Sequence, residues 1–246
     1  DTQLAAVDTV DLDQLTTKEI QSLTGSAVSG MTTGQISTLK TANLAALTTS
    51  QVAGLQTTQV NALTTGSVSV LSANQIRAMS TEQIAAVTTA GVAVFNSTQV
   101  GALSTDQVAG MTTSQVAALT TSEAAAMSAA QVKALTTTQL GSLNTADVKA
   151  LTLNSVKAMT AAQIKALKTN QLQALSTDQI KAIETADLAA MSAAQVTALG
   201  TAQIQALSTA QLNAMTAIEL NALTSGQLQA LTTTQVNALS ATSVSK

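Results

Sequence analysis

The side chains that could do chemistry in this chain are few, and most of them are carboxylates. Asp8, Asp11 and Asp13 form the one acidic cluster. Such a cluster could hold Ca²⁺ weakly, but it lacks the glycine turn and closing Glu of known calcium loops. The expectation is a solvated acidic segment. The chain has no His and no Cys. That removes a nucleophile paired with either residue, thiol chemistry, and the usual zinc ligand sets. Paired carboxylates for hydrolysis need a concave site, and a thin uniform repeat offers none. There is no Gly-rich phosphate loop, and Phe95 is the only aromatic, so no platform for sugars or bases exists. The residues therefore predict no catalytic, metal or cofactor-binding site. The chain reads as a non-enzyme with no cofactor and no small-molecule substrate.

What positions these residues is an octad, repeated without insertion or deletion. Leu175-Ser176-Thr177-Asp178-Gln179-Ile180-Lys181-Ala182 is one copy. With slots named a to h, a is a large apolar residue, b is Ser or Thr, c is Thr and d is anything. Slot e is Gln or Glu, f is Val, Ile or Leu, g varies, and h is Ala or another small residue. Slot a falls at Val7, Leu15, Leu23, Met31 and every eighth residue to Leu239, and it is large and apolar each time. Slot f runs from Leu4 to Val244, with Ala124 the only residue smaller than Val. A fixed short period marks a solenoid or array. We read residues 1–246 as one continuous octad solenoid with no internal boundary.

Composition agrees. The chain is 46% hydrophobic and 9% charged, the reverse of a disordered segment. Thr, Ser and Gln interrupt every octad, so no apolar run approaches the ~18 residues of a membrane span. A net charge of −3 and a pI near 4.8 argue against nucleic acid. Residues 1–123 carry eight acids against Lys18, Lys40 and Arg77, while residues 124–246 carry seven lysines against five acids. The asymmetry reads first as drift between repeats, and second as a head-to-tail preference between subunits. No signal peptide is visible, and the chain opens at Asp1, as expected of a processed form or an excised segment.

The spacing excludes a continuous element. In one α-helix the apolar stripe would rotate by about 80° per octad and spiral out of any neighbour's reach. In one strand a and f would point to opposite faces. The chain must bend once per octad. Ser or Thr at b, followed three residues later by Gln or Glu, is a capping box: Ser176 with Gln179, Thr112 with Gln115, Ser80 with Gln83. Asp8, Asn96, Asn144 and Gly200 are the other acceptable caps at b. Slots a and f are then the two positions of a hydrophobic staple, as in Leu175 and Ile180. Acids at d (Glu82, Asp106, Asp178) fall in the first turn, where the helix dipole favours them. Each octad is predicted to form a helix of about two turns, far too short to stand alone, stacked with f, h and a inward.

The fold class expected is all-α, a solenoid of short capped helices, one per octad. The competing architecture is a β-solenoid with 16-residue coils, since Val, Ile and Thr are strand formers. Residues 64–70 and 88–94 look least helical. Against strands stand the Ala at g and h, the Gln at e, and the lack of a fixed corner Gly. A period of sixteen overlies the octad: Lys133, Lys149, Lys165 and Lys181, and most methionines in alternate a slots with Phe95. It points to two octads per coil, although Val70 and Val94 hint at three. Residues 1–14 are the loosest, with Val10 at d and Asp11 at e. Residues 15–110 hold most glycines, each costing up to about 1 kcal/mol in a helix, and residues 111–240 are the most regular.

Octads such as Leu103-Ser104-Thr105-Asp106-Gln107-Val108-Ala109 and Leu167-Lys168-Thr169-Asn170-Gln171-Leu172-Gln173-Ala174 resemble the Thr/Ala/Gln-rich tandem tracts of very large bacterial surface and secreted proteins. The resemblance covers the whole chain. It implies an extracellular or cell-surface structural or adhesive role, and no site residues. Uniform repetition without a site leads to the same expectation: a filament, a matrix fibre or an adhesin stalk. The alternative is an ice- or surface-binding protein whose Thr ladders ride on the β-solenoid. Leu4 and Val7 at one end, and Val236, Leu239 and Val244 at the other, keep the register without polar closing repeats. The partner expected is therefore more of the same tract, or a second copy stacked end to end.

Far-UV circular dichroism separates the two architectures by α minima against a single β minimum. Leu151→Asp should melt several neighbouring octads, because it buries an unpaired charge. Thr112→Ala should cost only about 0.5–2 kcal/mol, a lost cap. Hydrogen exchange distinguishes them: a silent Leu151 change would refute the inward assignment of slot a.

Overall fold

Ser or Thr at b does in space what the pattern asks of it. In the computed structural model, which describes residues 6–12 and 14–242, Ser80 is extended (φ −72°, ψ 166°) and its hydroxyl accepts from the Gln83 N–H. The helix Thr81–Ala86 follows, and Val87 at slot a is extended again (φ −60°, ψ 133°). Two consecutive extended residues make the corner, and the next cap starts at once. Among the described residues there is no positive φ. The corner needs no left-handed residue, which is why no slot is fixed as Gly.

All regular structure among the described residues is helical, one short helix per octad, from Thr9–Leu12 onward. The fold is an α-solenoid. The β-solenoid is not supported: no strand occurs there, and the Val-rich residues 64–70 and 88–94 contain the helices Thr65–Ser69 and Thr89–Val92. Their Thr caps at 64 and 88 accept from the backbone three residues on, and stacking outweighs the strand preference of Val. The helix Thr233–Thr242 departs from the rule, running on through slot a at Leu239 where earlier octads turn. Leu4, Asp13 and Val244 lie outside the described residues.

The chain divides into two compact units, Asp1–Ala126 and Met127–Lys246. In the first, the helix Thr81–Ala86 packs on Thr57–Asn61 and on Thr105–Gly110. In the second, Leu153–Lys157 packs on Ala129–Ala134 and on Thr177–Ala182. Stacked partners are three octads apart in both units, so one coil is 24 residues. This corrects the two-octad coil. A corner of two extended residues deflects the chain without reversing it, and three such corners close a coil. Stacked lysines are therefore Lys133, Lys157 and Lys181, on successive helices, and the sixteen-residue spacing has no counterpart in the stacking. Val70 and Val94, which hinted at three octads, follow the helices Thr65–Ser69 and Thr89–Val92, which pack on each other.

Slots f and a fill the interior. Slot f is between 0% and 2% exposed from Leu12 to Leu212, and slot a is buried from Met31 to Leu223. Phe95 takes an a position like any Leu. Slot h does not face fully inward as expected. Its alanines are mostly half-buried, and Val70 and Val94 are each 37% exposed. The inward place goes instead to slot e, whose glutamines are 1–6% exposed.

Glycine effects should therefore depend on what lies over the Cα. A Cβ at Gly101, inside the helix Ser97–Ala102, meets nothing within 4 Å. At Gly91 it would lie 2.9 Å from Val87 Cγ1 and 3.3 Å from Val68 Cγ2. Thermal melts should show Gly101→Ala stabilising by up to about 1 kcal/mol and Gly91→Ala destabilising.

Candidate functional site

The constellation that recurs in this protein is a buried glutamine amide with both ends occupied. At Gln83 the Ser80 N–H donates to Oε1 at 2.7 Å, and the Gln83 N–H donates to Ser80 Oγ at 3.1 Å. That is the capping box, and it satisfies two of the four N–H groups that a helix start leaves without partners. The other end of the same amide crosses to the coil before. Nε2 donates to the carbonyls of Leu55 at 2.6 Å, Val52 at 3.1 Å and Ala53 at 3.2 Å. Those carbonyls end the helix Thr49–Ala53 and its corner, where a helix leaves C=O groups unsatisfied.

The second unit repeats the arrangement. Gln163 accepts from the Thr160 N–H at 3.0 Å, and its Nε2 reaches the carbonyls of Leu135, Val132 and Lys133 at 2.7, 2.9 and 3.3 Å. The acceptors lie 28, 31 and 30 residues back, one coil plus part of an octad. One side chain therefore joins the start of its own helix to the end of a helix in the preceding coil.

Either half of the box can stand without the other: Thr24, Thr64, Thr88 and Thr152 cap where slot e holds no Gln. At Gln56, Lys168 and Gly200 no side chain at b caps the helix. The backbone N–H at b still donates to the glutamine: Gln59 at 2.7 Å, Gln171 and Gln203 at 2.8 Å. Gly200, expected as a cap, therefore serves only through its backbone. Asn96 and Asn144 do cap with their side chains. The inter-coil role of slot e is the feature that reading the sequence missed. Its signal was the persistence of Gln where the cap residue varies.

Acids follow the same geometry with different outcomes. Glu19 is exposed, and the N–H of Thr16, then its hydroxyl, hold the carboxyl below the usual carboxylate range. At Glu82 its own backbone N–H, then the Ser80 and Thr81 hydroxyls, do the same. Glu123, Asp147 and Glu219 occupy slot e and are buried. Asp11 belongs to the helix Thr9–Leu12 and Asp8 precedes it, while Asp13 lies outside the described residues. Among the described residues no three His, Cys, Asp or Glu side chains are grouped to hold a metal ion. An open groove of about 300 Å³ in the second unit is lined by Lys157, Lys181, Glu184, Ser208 and Gln211 among others. Its ion pair, Lys157 Nζ to Glu184 Oε1 at 3.8 Å, is exposed on both sides and contributes little.

The amide row carries a direct test. Gln163→Leu keeps the volume but leaves the buried Leu135 carbonyl and the Thr160 N–H without their partner, each costing about 1–3 kcal/mol. Urea unfolding should show a larger loss than for Thr160→Ala, a cap alone at about 0.5–2 kcal/mol.

No curated protein matches this sequence. A family model described as the ALTTAQ repeat matches residues 37–65, 89–121, 155–182 and 180–217, together just over half of the chain. Its six letters read onto slots h, a, b, c, d and e, as in Ala134-Leu135-Thr136-Thr137-Thr138-Gln139. Four of those slots are the small residue, the interior apolar, the cap and the bridging amide described above, and the chain belongs to the ALTTAQ repeat family.

Proposed function

We propose that this chain is a structural protein of the cell exterior, a repeat tract that builds a filament or matrix fibre or forms the stalk of an adhesin. The observation that carries the reading is the use of the buried polar side chains. The glutamines at slot e are committed to joining one coil to the next, and the apolar slots a and f to the interior. What is left for contact with other molecules is the exposed part of slots c, d and g, of which c is mostly Thr and d and g vary from octad to octad. Such a surface favours extension and spacing over chemistry, so no catalytic step and no cofactor belong to this reading. The resemblance to Thr/Ala/Gln-rich surface tracts supports the exterior location. No helix among the described residues is long and apolar enough to cross a membrane. An ice- or surface-binding role is disfavoured, because its Thr ladders from slots b and c need a flat strand array and no strand occurs among the described residues.

Self-association belongs to the same proposal. Leu228 and Val236 occupy slot f and are 49% and 48% exposed, where the f residues up to Leu212 are buried. Another coil of this repeat, from a continuing tract or a second copy, is the surface that covers slot f elsewhere in the chain. Light scattering across concentration, with negative-stain microscopy, should show association that Leu228→Lys with Val236→Lys abolishes. A stable monomer at high concentration would retire the filament and leave the stalk. Protease shaving of intact cells tests the exterior location: a tract protected until lysis would refute it.

A further inference from the structure

Glu219 stands in slot e of the second unit, 2% exposed. The Thr216 N–H donates to its Oε2 at 2.6 Å, and its own N–H donates to Thr216 Oγ1 at 3.3 Å. These are the two capping bonds of the glutamines, so the side chain is seated as theirs are. The octads on either side show what the remaining atom should do. Gln211 Nε2 donates to the carbonyls of Ile183 at 2.8 Å and Lys181 at 3.3 Å. Gln227 Nε2 donates to those of Leu199 at 2.8 Å and Val196 at 2.9 Å. Counted in the same register, Glu219 Oε1 corresponds to the amide nitrogen, and the carbonyls 28 and 31 residues back are those of Met191 and Leu188. Oε1 is buried without a hydrogen-bond partner.

A carboxylate has no donor to offer a carbonyl, and two facing oxygens repel. A carboxylic acid has one donor, on the oxygen that needs it. We propose that Glu219 is a proton-operated joint between coils. In the neutral form Oε1–H donates to the corner carbonyls and closes the joint. When that proton leaves to solvent, the remaining negative oxygen faces carbonyl lone pairs, and the joint loosens. The surroundings supply no substitute for the proton. The helix Ala193–Ala198, which packs on Ala217–Asn221, has no charged residue. The helix Thr185–Leu188, which ends at the Leu188 carbonyl, brings Asp187, with Glu184 at its cap, both acids. The neighbouring helices Thr209–Ala214, Ser225–Ala230 and Thr233–Thr242 have none.

The sign follows from which form bonds. The joint's contribution belongs to the neutral form of the carboxyl alone. Glu19 runs the other way: its carboxyl is held below the usual range, so its contribution is present at neutral pH and lost in acid. The test compares the chain with Glu219→Gln, which supplies the donor at every pH, and with Glu19→Gln, by urea unfolding and hydrogen exchange from pH 4 to 8. Glu219→Gln should match the parent in acid and exceed it as pH rises, with amide protection over residues 188–221 higher by about tenfold, the effect of one buried bond. Glu19→Gln should lose stability relative to the parent as pH rises. An offset for Glu219→Gln that is constant with pH, or a variant less stable throughout, would overturn the proposal. So would stabilisation of the parent but not of Glu219→Gln by Ca²⁺ or Na⁺, which would make the oxygen a cation ligand.

Discussion

A helix of six residues has almost as many unpaired backbone groups as paired ones, and this protein is built from such helices. Every one leaves N–H groups at its start and carbonyls at its end, and at this length the ends are most of the element. Water cannot satisfy them in the interior, so the fold depends on finding partners at every corner. The slot e amide is the solution. Its oxygen takes an N–H from its own helix start, and its nitrogen supplies a helix end in the coil before. Gln is suited because it offers both an acceptor and two donors without charge. Its length also lets it cross to the coil before.

Exceptions to the amide show what the stack tolerates. Asn43, Ser67 and Gly91 hold slot e on three successive levels of one column in the first unit. Asn43 is shorter by one methylene and still reaches the Leu15 carbonyl at 3.1 Å. Ser67 turns back to Thr64, with the two hydroxyl oxygens 2.9 Å apart. Gly91 reaches nothing, and the Val68 side chain of the coil before moves in beside it, 3.3 Å from where a Cβ would stand. The column trades bonds for close packing, and Val replaces Ala at slot h in the last two levels, Val70 and Val94. In the second unit Ser155 retains a single link, its hydroxyl donating to the Met127 carbonyl at 3.2 Å. Because each coil touches only its neighbours, such losses stay local.

The local half of this design was legible in the sequence, and the long-range half was not. The capping box is contained within four residues, so Ser80 and Gln83 announce it directly. The staple positions a and f are fixed by the same short frame, and both are buried as their spacing implies. Nothing in one octad says how many octads make a coil. That depends on the corner angle, set by the backbone at a and b, and surface lysines at sixteen-residue spacing carried no information about it. Slot h looked inward because it is small, yet small residues also suit a crowded flank. Slot e looked satisfied by its capping duty, since only one end of an amide can be assigned without knowing which coil lies beside it.

That second end explains why the repeat has the strictness it has. A residue that serves only its own helix could be exchanged along with its cap, as Thr, Ser, Asn, Lys and Gly are exchanged at slot b. A residue that also serves a helix one coil away is held by both, and its partner is backbone, present whatever side chains the other octad carries. The fold therefore holds slots a and f throughout and gains a link between coils wherever slot e is Gln, while d and g vary without affecting the joint. Insertions are excluded for the same reason. One extra residue in any octad would move the carbonyls 28 and 31 positions back out of reach for every amide whose link spans the insertion, so an unbroken register is a condition of the stack.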